Sequence, residues 1–187
     1  MTPGRLKLSV ILGAALLGAL SLAAWTQPWF TLDVTGAHPV VVTGQVAAPA
    51  LSALGLAALA LAAALSIAGV VVRYVLGGLH ALIGVLAAAS SVIAILNPIR
   101  ASLPAVTAVV GESGLTAVSA LVTSVSLTVW PWVAVLLGVL TAALGIVTLA
   151  TARRWPGPTR KYESAPSRDD SPAAHWDALS AGDDPTR

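Results

Sequence analysis

The sequence VLGGLHALIGVLAAASSVIAIL, residues 75–96, is predominantly apolar and carries no formal charge. As a helix rising 1.5 Å per residue it would be about 33 Å long, which matches the ~30 Å hydrocarbon core of a bilayer. Three further segments share this character, at residues 8–24, 48–72 and 130–152. The four segments predict an all-α membrane protein, a four-transmembrane-helix bundle occupying residues 1–152.

The composition excludes a water-soluble fold. Hydrophobic residues make up 57% of the 187 residues and charged residues 10%, against about 45–50% and about 25% in soluble domains. Formal charges within residues 8–152 fall only at Asp33, Arg73, Arg100 and Glu112. The net charge of +2, without clustered basic residues, argues against nucleic-acid binding. The chain has no cysteine, which excludes disulfides and cysteine-ligated metals.

The first apolar segment has two interpretations. Arg5 and Lys7 precede it, and the small residues Ala23 and Ala24 near its end are typical of a signal-peptide cleavage site. The apolar run is long for a signal core, however, and Trp25 follows it directly. These features favour a retained transmembrane helix.

Lysine and arginine beside the apolar segments predict the orientation, because cytoplasmic flanks carry the excess of basic residues. The basic residues that closely flank the four segments on one side are Arg5, Lys7, Arg73, Arg153, Arg154, Arg160 and Lys161. The loops on the other side contain Arg100 as their only lysine or arginine. We therefore expect a multi-pass plasma-membrane protein with both termini in the cytoplasm.

The first of two predicted outer loops covers residues 25–47. It contains β-prone stretches at 30–34 and 40–43 on either side of the turn sequence GAHP, residues 36–39. This pattern indicates a small β-hairpin. On the opposite side, little more than residues 73–74 links the second and third segments, which predicts an antiparallel helical hairpin.

The second predicted outer loop covers residues 97–129 and is interrupted by proline and glycine. We expect short amphipathic helices on the membrane surface in this loop. A fifth span within residues 115–129 is too short unless it merges with the fourth helix.

The tail, residues 153–187, changes abruptly to proline-rich sequence of mixed charge. This composition predicts a mostly disordered cytoplasmic tail. Within it, Ser171 and Pro172 are typical of a helix start, and Trp176 and Leu179 would lie on one face of the following turns. The pattern has two interpretations, a solvated segment with fleeting helix or a short docking helix for a cytoplasmic protein or the membrane surface.

The four tryptophans Trp25, Trp29, Trp130 and Trp132 flank the first and fourth helices on the outer side. Their position is typical of the aromatic belt, in which indole rings lie at headgroup level and their N–H groups stay hydrated. The alternative is a paired aromatic platform that binds a ligand or partner where the two helices meet.

His80 is the one ionisable side chain inside a predicted span, away from its flanks. An intramembrane histidine is a functional candidate, although a lone one near the interface is more often neutral and hydrogen-bonded to a neighbouring helix. The sequence contains no catalytic constellation, metal-ligand pair or phosphate-binding loop. We therefore predict no enzyme activity and no cofactor.

Three motifs carry a family resemblance. They are WTQPW at residues 25–29, RRWP at 153–156 followed by Arg160 and Tyr162, and WDALS at 176–180 with Gly182 and the DPT of 184–186. Together with the hydropathy layout they resemble the actinobacterial tryptophan-biosynthesis-associated membrane proteins, often encoded near tryptophan-synthesis genes. The resemblance implies a four-helix plasma-membrane protein and a link to tryptophan metabolism, with no site residues to transfer.

Three functional hypotheses follow. The first is a non-enzymatic accessory protein whose tail binds a cytoplasmic partner. The second is a permease or exporter subunit for tryptophan or an indole-like solute, suggested by the outer tryptophans and His80. A weaker third is an envelope protein whose outer loops bind cell-wall components. A polar cavity reaching His80 would favour transport, whereas a dry centre filled with leucine and alanine would favour the accessory role.

Overall fold

The computed structural model describes residues 3–155 and Ser180. The predicted disorder of the tail and its docking residues Trp176 and Leu179 lie outside the described residues. The elements, in chain order, are α1 (Pro3–Thr26), β1 (Pro28–Val34), β2 (Val40–Thr43), α2 (Gly44–Ala47), α3 (Ala50–Ile67), α4 (Val70–Leu96), α5 (Pro98–Val110), α6 (Leu115–Leu121), β3 (Val122–Leu127) and α7 (Trp130–Thr151). A 3-10 turn, Ala152–Arg154, follows α7.

Helices α1, α3, α4 and α7 are each long and apolar enough to cross a membrane. They correspond to the four segments expected from the sequence, so the prediction of a mostly helical protein with four membrane-length helices is confirmed. Helices α5 and α6 are long and apolar enough for a fifth span only if they are taken together as one helix, but the angle between them is 76°.

The link between α3 and α4 differs from the prediction. Helix α3 ends at Ile67, Ala68 and Gly69 form the link, and Arg73 lies in the first turn of α4 rather than in a loop. The apolar run continues unbroken through residues 67–72, so hydropathy marks no boundary there. The first charge therefore gave a misleading boundary, because Arg73 is completely buried and its guanidinium is satisfied by backbone carbonyls.

The long helices pack along seams of small residues. Buried positions in α4 alternate three and four residues apart: Arg73, Gly77, His80, Gly84, Ala87, Ser91 and Ala94. The facing seam of α7 follows the same spacing through Ala134, Gly138, Thr141, Gly145 and Thr148. A spacing that averages 3.5 residues is the pattern of left-handed helix packing, and small residues at these positions let two backbones approach closely.

Two helix pairs come into backbone contact through glycine. A Cβ atom placed on Gly138 would lie only 2.6 Å from the backbone nitrogen of Ala88, so α7 and α4 leave no room for a side chain there. Helices α1 and α3 also cross closely at Gly18 and Gly55, because a Cβ on Gly18 would lie 3.3 Å from the carbonyl oxygen of Gly55. Close contact along these seams leaves little space inside the bundle.

The predicted hairpin is confirmed. Strands β1 and β2 pair antiparallel, with Phe30 opposite Val42 and Leu32 opposite Val40. Gly36 supplies the positive φ of 78° in the turn, a conformation that costs glycine little.

A third strand was missed. In the second loop, α5 and α6 agree with the expectation of short helices, but residues 122–127 form β3, which pairs antiparallel with β1 in the sheet order β2-β1-β3. Residues 115–129 therefore do not merge with the fourth helix. Helix α5 follows directly after α4, and β3 lies beside β1. The segment from α5 to β3 therefore begins and ends at the same end of the bundle.

The two loops form one compact cap over that end, which we call the sheet end. Phe30, Leu32 and Val42 of the sheet are fully buried, together with Val106 of α5 and Val118 of α6. This cap positions the tryptophans at the helix ends, while α1 and α7 have their other termini at the opposite end of the bundle, which we call the basic end.

Candidate functional site

Trp29 lies in the core of the cap and not on a wet surface. Its side chain is completely buried, and its indole N–H donates a hydrogen bond of 2.9 Å to the carbonyl of Ala24. The ring meets Phe30 edge-on at 6.4 Å between centroids. Gly44 packs against the indole so closely that a Cβ there would lie 2.8 Å from ring atoms.

The other three tryptophans occupy different environments. Trp25 and Trp130 are half-buried against the cap core, and the indole nitrogen of Trp25 has no hydrogen-bond partner among the described residues. Trp132 is 57% exposed on the outer surface of α7. Because Trp29 is sealed inside, the four tryptophans do not share one accessible face.

His80 lies on the buried seam of α4 and is only 1% exposed. Neither ring nitrogen has a hydrogen-bond partner within the described part of the chain, so the expected bond to a neighbouring helix is not formed there. The buried hydroxyls of Thr141 and Thr148 on α7 donate to the carbonyls of Leu137 and Leu144 in their own helix. Among the described residues, the histidine is therefore buried without a hydrogen bond, although hydroxyls lie along the same seams.

Sequence reasoning missed a polar site at the basic end, built around Arg73. The Nε atom donates to the carbonyl of Ala68 at 2.9 Å, just beyond the end of α3. The Nη1 atom donates to the carbonyls of Ala152 and Trp155 at 3.3 and 3.2 Å, just beyond the end of α7. Carbonyls at helix C-termini lack intrahelical partners and carry partial negative charge, so a guanidinium stabilises both ends at once.

Trp155 completes this arrangement, which we call the arginine clamp. Its ring lies 5.4 Å from the guanidinium carbon of Arg73, within cation–π range. The indole is 3% exposed, and its N–H donates to the hydroxyl of Thr151 at 3.1 Å. The clamp fixes the chain where it leaves α7. The signal in the sequence was an arginine inside an otherwise apolar run, with RRW after the last helix.

A second cation caps a helix at the same end. The ammonium group of Lys7 donates a 2.8 Å hydrogen bond to the carbonyl of Ser66 in the last turn of α3. Arg5, Arg153 and Arg154 are at this end as well, and all three are exposed. The basic end therefore combines two helix-capping cations with solvent-facing ones.

The described residues contain no group of three or more His, Asp or Glu side chains placed to hold a metal ion. At the edge of the sheet, Asp33 accepts a hydrogen bond of 2.6 Å from Ser124 across the β1–β3 pair. This bond joins the two loops of the cap and is exposed to solvent.

A cleft opens at the sheet end between α3 and α4. Its volume is about 600 Å³, and its walls are mainly alanine, leucine and isoleucine from the two helices, with Ser90, Asn97 and Arg100 as polar members. A separate void at the centre of the bundle, bordered by Ser21 and Thr141, measures only about 10 Å³.

Four membrane-length apolar helices packed on glycine seams define a multi-pass helical membrane protein. The chain belongs to the family of tryptophan-associated transmembrane proteins, whose sequence profile matches residues 7–186. The resemblance inferred from the tryptophan and tail motifs is thereby confirmed. No curated protein and no solved structure matches the chain.

Proposed function

We propose that this protein is a non-enzymatic accessory protein of the plasma membrane that serves tryptophan metabolism by binding a cytoplasmic partner. The four helices anchor it, and residues 153–187 bind the partner, with Trp176 and Leu179 as the contact residues. Membership of the tryptophan-associated transmembrane family supports the metabolic link.

The observation that carries the proposal is the narrow centre of the bundle within the residues that the structure describes. Both nitrogens of His80 are buried, and the central void of about 10 Å³ is at the lower limit of what one water molecule needs. Proton-coupled carriers use intramembrane acidic residues or histidine chains beside water-filled cavities. Apart from Arg73 and His80, the facing seams of α4 and α7 are mainly glycine, alanine and single hydroxyls, which bond within their own helix.

These features disfavour the alternative role as a tryptophan or indole permease. A permease needs a polar path between the two ends of the bundle, and the sheet end is covered by a cap with its own hydrophobic core. The tryptophans at the sheet end suggest a solute site, but Trp29 is buried in the hydrophobic core of the cap and Trp132 lies on the outer surface of α7.

The orientation proposed is N-terminus in and C-terminus in, with the cap outside. It is supported by four membrane-length helices, an even number, and by basic residues at the end opposite the cap. The cap carries Arg100, Asp33 and Glu112, which together have a net charge of −1. The buried Arg73 adds less to this argument than a solvated loop residue would, because carbonyls hold it in place.

The test compares a deletion strain carrying the full chain with one carrying residues 1–157. Ending at Gly157 preserves the compact unit and the Trp155 carbonyl of the arginine clamp. We expect the full chain to restore growth in medium without tryptophan and the shortened chain to fail, with both present in equal amounts. Efflux of preloaded labelled tryptophan should be equal with and without the gene.

The partner is captured with a photoreactive residue in place of His175, next to the proposed contact residues. The matched control carries Trp176→Ala and Leu179→Ala as well, and we expect it to lose the crosslinked cytoplasmic protein. Growth of the deletion strain at the wild-type rate in medium without tryptophan would contradict the proposed role in tryptophan metabolism. Slower efflux of tryptophan from the deletion strain would favour the permease. The same crosslinked products from the control would remove the tail contact.

A further inference from the structure

The cleft between α3 and α4 suggests a ligand that the proposed function does not involve. We propose that it binds one anionic glycerophospholipid such as phosphatidylglycerol, with an acyl chain between the helices and the phosphate at Arg100. This inference is independent of the accessory role, because it concerns the sheet end and not the tail.

The depth of the cleft fits an acyl chain. Along α4 its wall runs from Leu86 to the end of the helix at Leu96, about 15 Å at 1.5 Å per residue. This length equals one leaflet of a hydrocarbon core about 30 Å thick. The facing wall is α3 from its start, with Ala50, Ala53 and Leu54. A chain lying here would reach from the headgroup level to about the middle of the bilayer.

The shape of the cleft follows from how the helices pack. Helix α4 packs most closely on α7 and α3 most closely on α1, so α3 and α4 are joined at the basic end but only loosely packed on each other. At the sheet end, small side chains such as Ala53 and Ala89 line the gap and leave it unfilled.

The charge at the mouth selects an anion. Arg100 is exposed in the first turn of α5, and its guanidinium has no hydrogen bond or ion pair to any residue that the structure describes. The neighbouring amide nitrogen of Asn97 is already bonded to the carbonyl of Ile93 at 3.1 Å. Arg100 is thus the free donor at the level of the headgroups, and guanidinium pairs well with phosphate oxygens.

The same lining gives the positive group of a zwitterion no partner. The residues described around the cleft include no carboxylate to accept an ammonium group and no aromatic ring to bind a quaternary amine. A free amino acid or a choline lipid would leave its positive group without a partner. A net anionic phospholipid has no such group, so the lining favours it over phosphatidylcholine and over tryptophan.

The experiment measures lipid binding to the purified full chain by native mass spectrometry. Phosphatidylglycerol and phosphatidylcholine with identical acyl chains are titrated separately, and the dissociation constant of the first bound lipid is compared. One arginine near the membrane surface contributes about 1 kcal/mol, so we expect phosphatidylglycerol to bind about fivefold tighter. Arg100→Gln should abolish this preference, Arg100→Lys should keep most of it, and Arg154→Gln at the basic end should leave it intact.

A second pair of variants tests the acyl-chain site. Ala89→Trp fills the cleft from an exposed position and should weaken binding of both lipids, whereas Ala60→Trp, exposed on α3 outside the cleft, should not. Equal affinity of the wild-type protein for the two lipids would overturn the proposal, as would unchanged binding to Ala89→Trp. Displacement of the lipid by glycerol phosphate or by tryptophan at similar concentrations would show a soluble-anion or amino-acid site and would also overturn it.

Discussion

Removing the guanidinium of Arg73 should loosen the basic end of the bundle. In Arg73→Gln the shorter amide cannot span from the Ala68 carbonyl to those of Ala152 and Trp155, which the native side chain joins at 2.9–3.3 Å. At least three hydrogen bonds and one cation–π contact are lost, and the buried carbonyls lose their donor.

The expected loss is about 2–4 kcal/mol. Hydrogen bonds made by side chains between the helices of a membrane protein average about 0.6 kcal/mol each, so the three from Arg73 to backbone carbonyls contribute about 2 kcal/mol. A buried aromatic–cation contact adds about 0.5–2 kcal/mol. Carbonyls left without a donor in an apolar setting increase the cost. Arg73→Lys should recover only part of the lost stability. Lysine keeps the positive charge, but its single ammonium group cannot reach both helix ends as the planar, forked guanidinium does.

The free energy of unfolding is measured by titrating the protein in mixed micelles with sodium dodecyl sulfate and following helical circular dichroism. Arg154→Gln is the matched control, because Arg154 is exposed at the same end, and its change should stay within about 0.5 kcal/mol. The double variant Arg73→Gln/Trp155→Ala should lose less free energy of unfolding than the two single variants lose in sum, because the two side chains contact each other. Equal stability of Arg73→Gln and Arg154→Gln would refute the clamp.

Three further changes test the packing. Gly138→Ala should destabilise the protein by about 1–3 kcal/mol in the same titration, because the new methyl group forces α7 away from Ala88. The control Gly78→Ala faces open space and should be neutral or stabilising by up to about 1 kcal/mol. Trp29→Ala should cost about 3–5 kcal/mol and accelerate amide hydrogen exchange in the sheet before it does so in α4. His80→Leu should be neutral or stabilising in thermal unfolding, because it removes a buried polar group that has no hydrogen-bond partner among the described residues. Marked destabilisation would mean that His80 has a partner.

The sequence was sufficient to locate the four long helices, because their apolar character needs no knowledge of neighbours. It was less accurate at Ile67, where α3 ends inside an apolar run, because the break depends on Ala68 and Gly69 and not on a change in polarity. In the sequence, the charge of Arg73 resembles a loop marker. Its burial depends on the ends of α3 and α7 lying together in space.

The two loops of the cap also show which features can be predicted from residues adjacent in sequence and which depend on distant ones. The hairpin of β1 and β2 was predicted because its turn and strands are adjacent in sequence. Strand β3 was missed, although VTSVSL at residues 122–127 is β-prone, because its partner β1 lies about ninety residues earlier in the chain. For the same reason neither the cleft nor the burial of Trp29 was visible in the sequence, since both depend on how separate elements meet.

The measurement that tests the account most directly is site-specific labelling, for which the chain is well suited because it lacks cysteine. Ser113→Cys lies in the exposed turn of the cap between α5 and α6, and Ser164→Cys lies in the tail. With four crossings and the cap outside, a membrane-impermeant maleimide should label Ser113→Cys in intact cells and Ser164→Cys only after the membrane is opened. Labelling of both positions in intact cells, or of Ser164→Cys alone, would contradict the account.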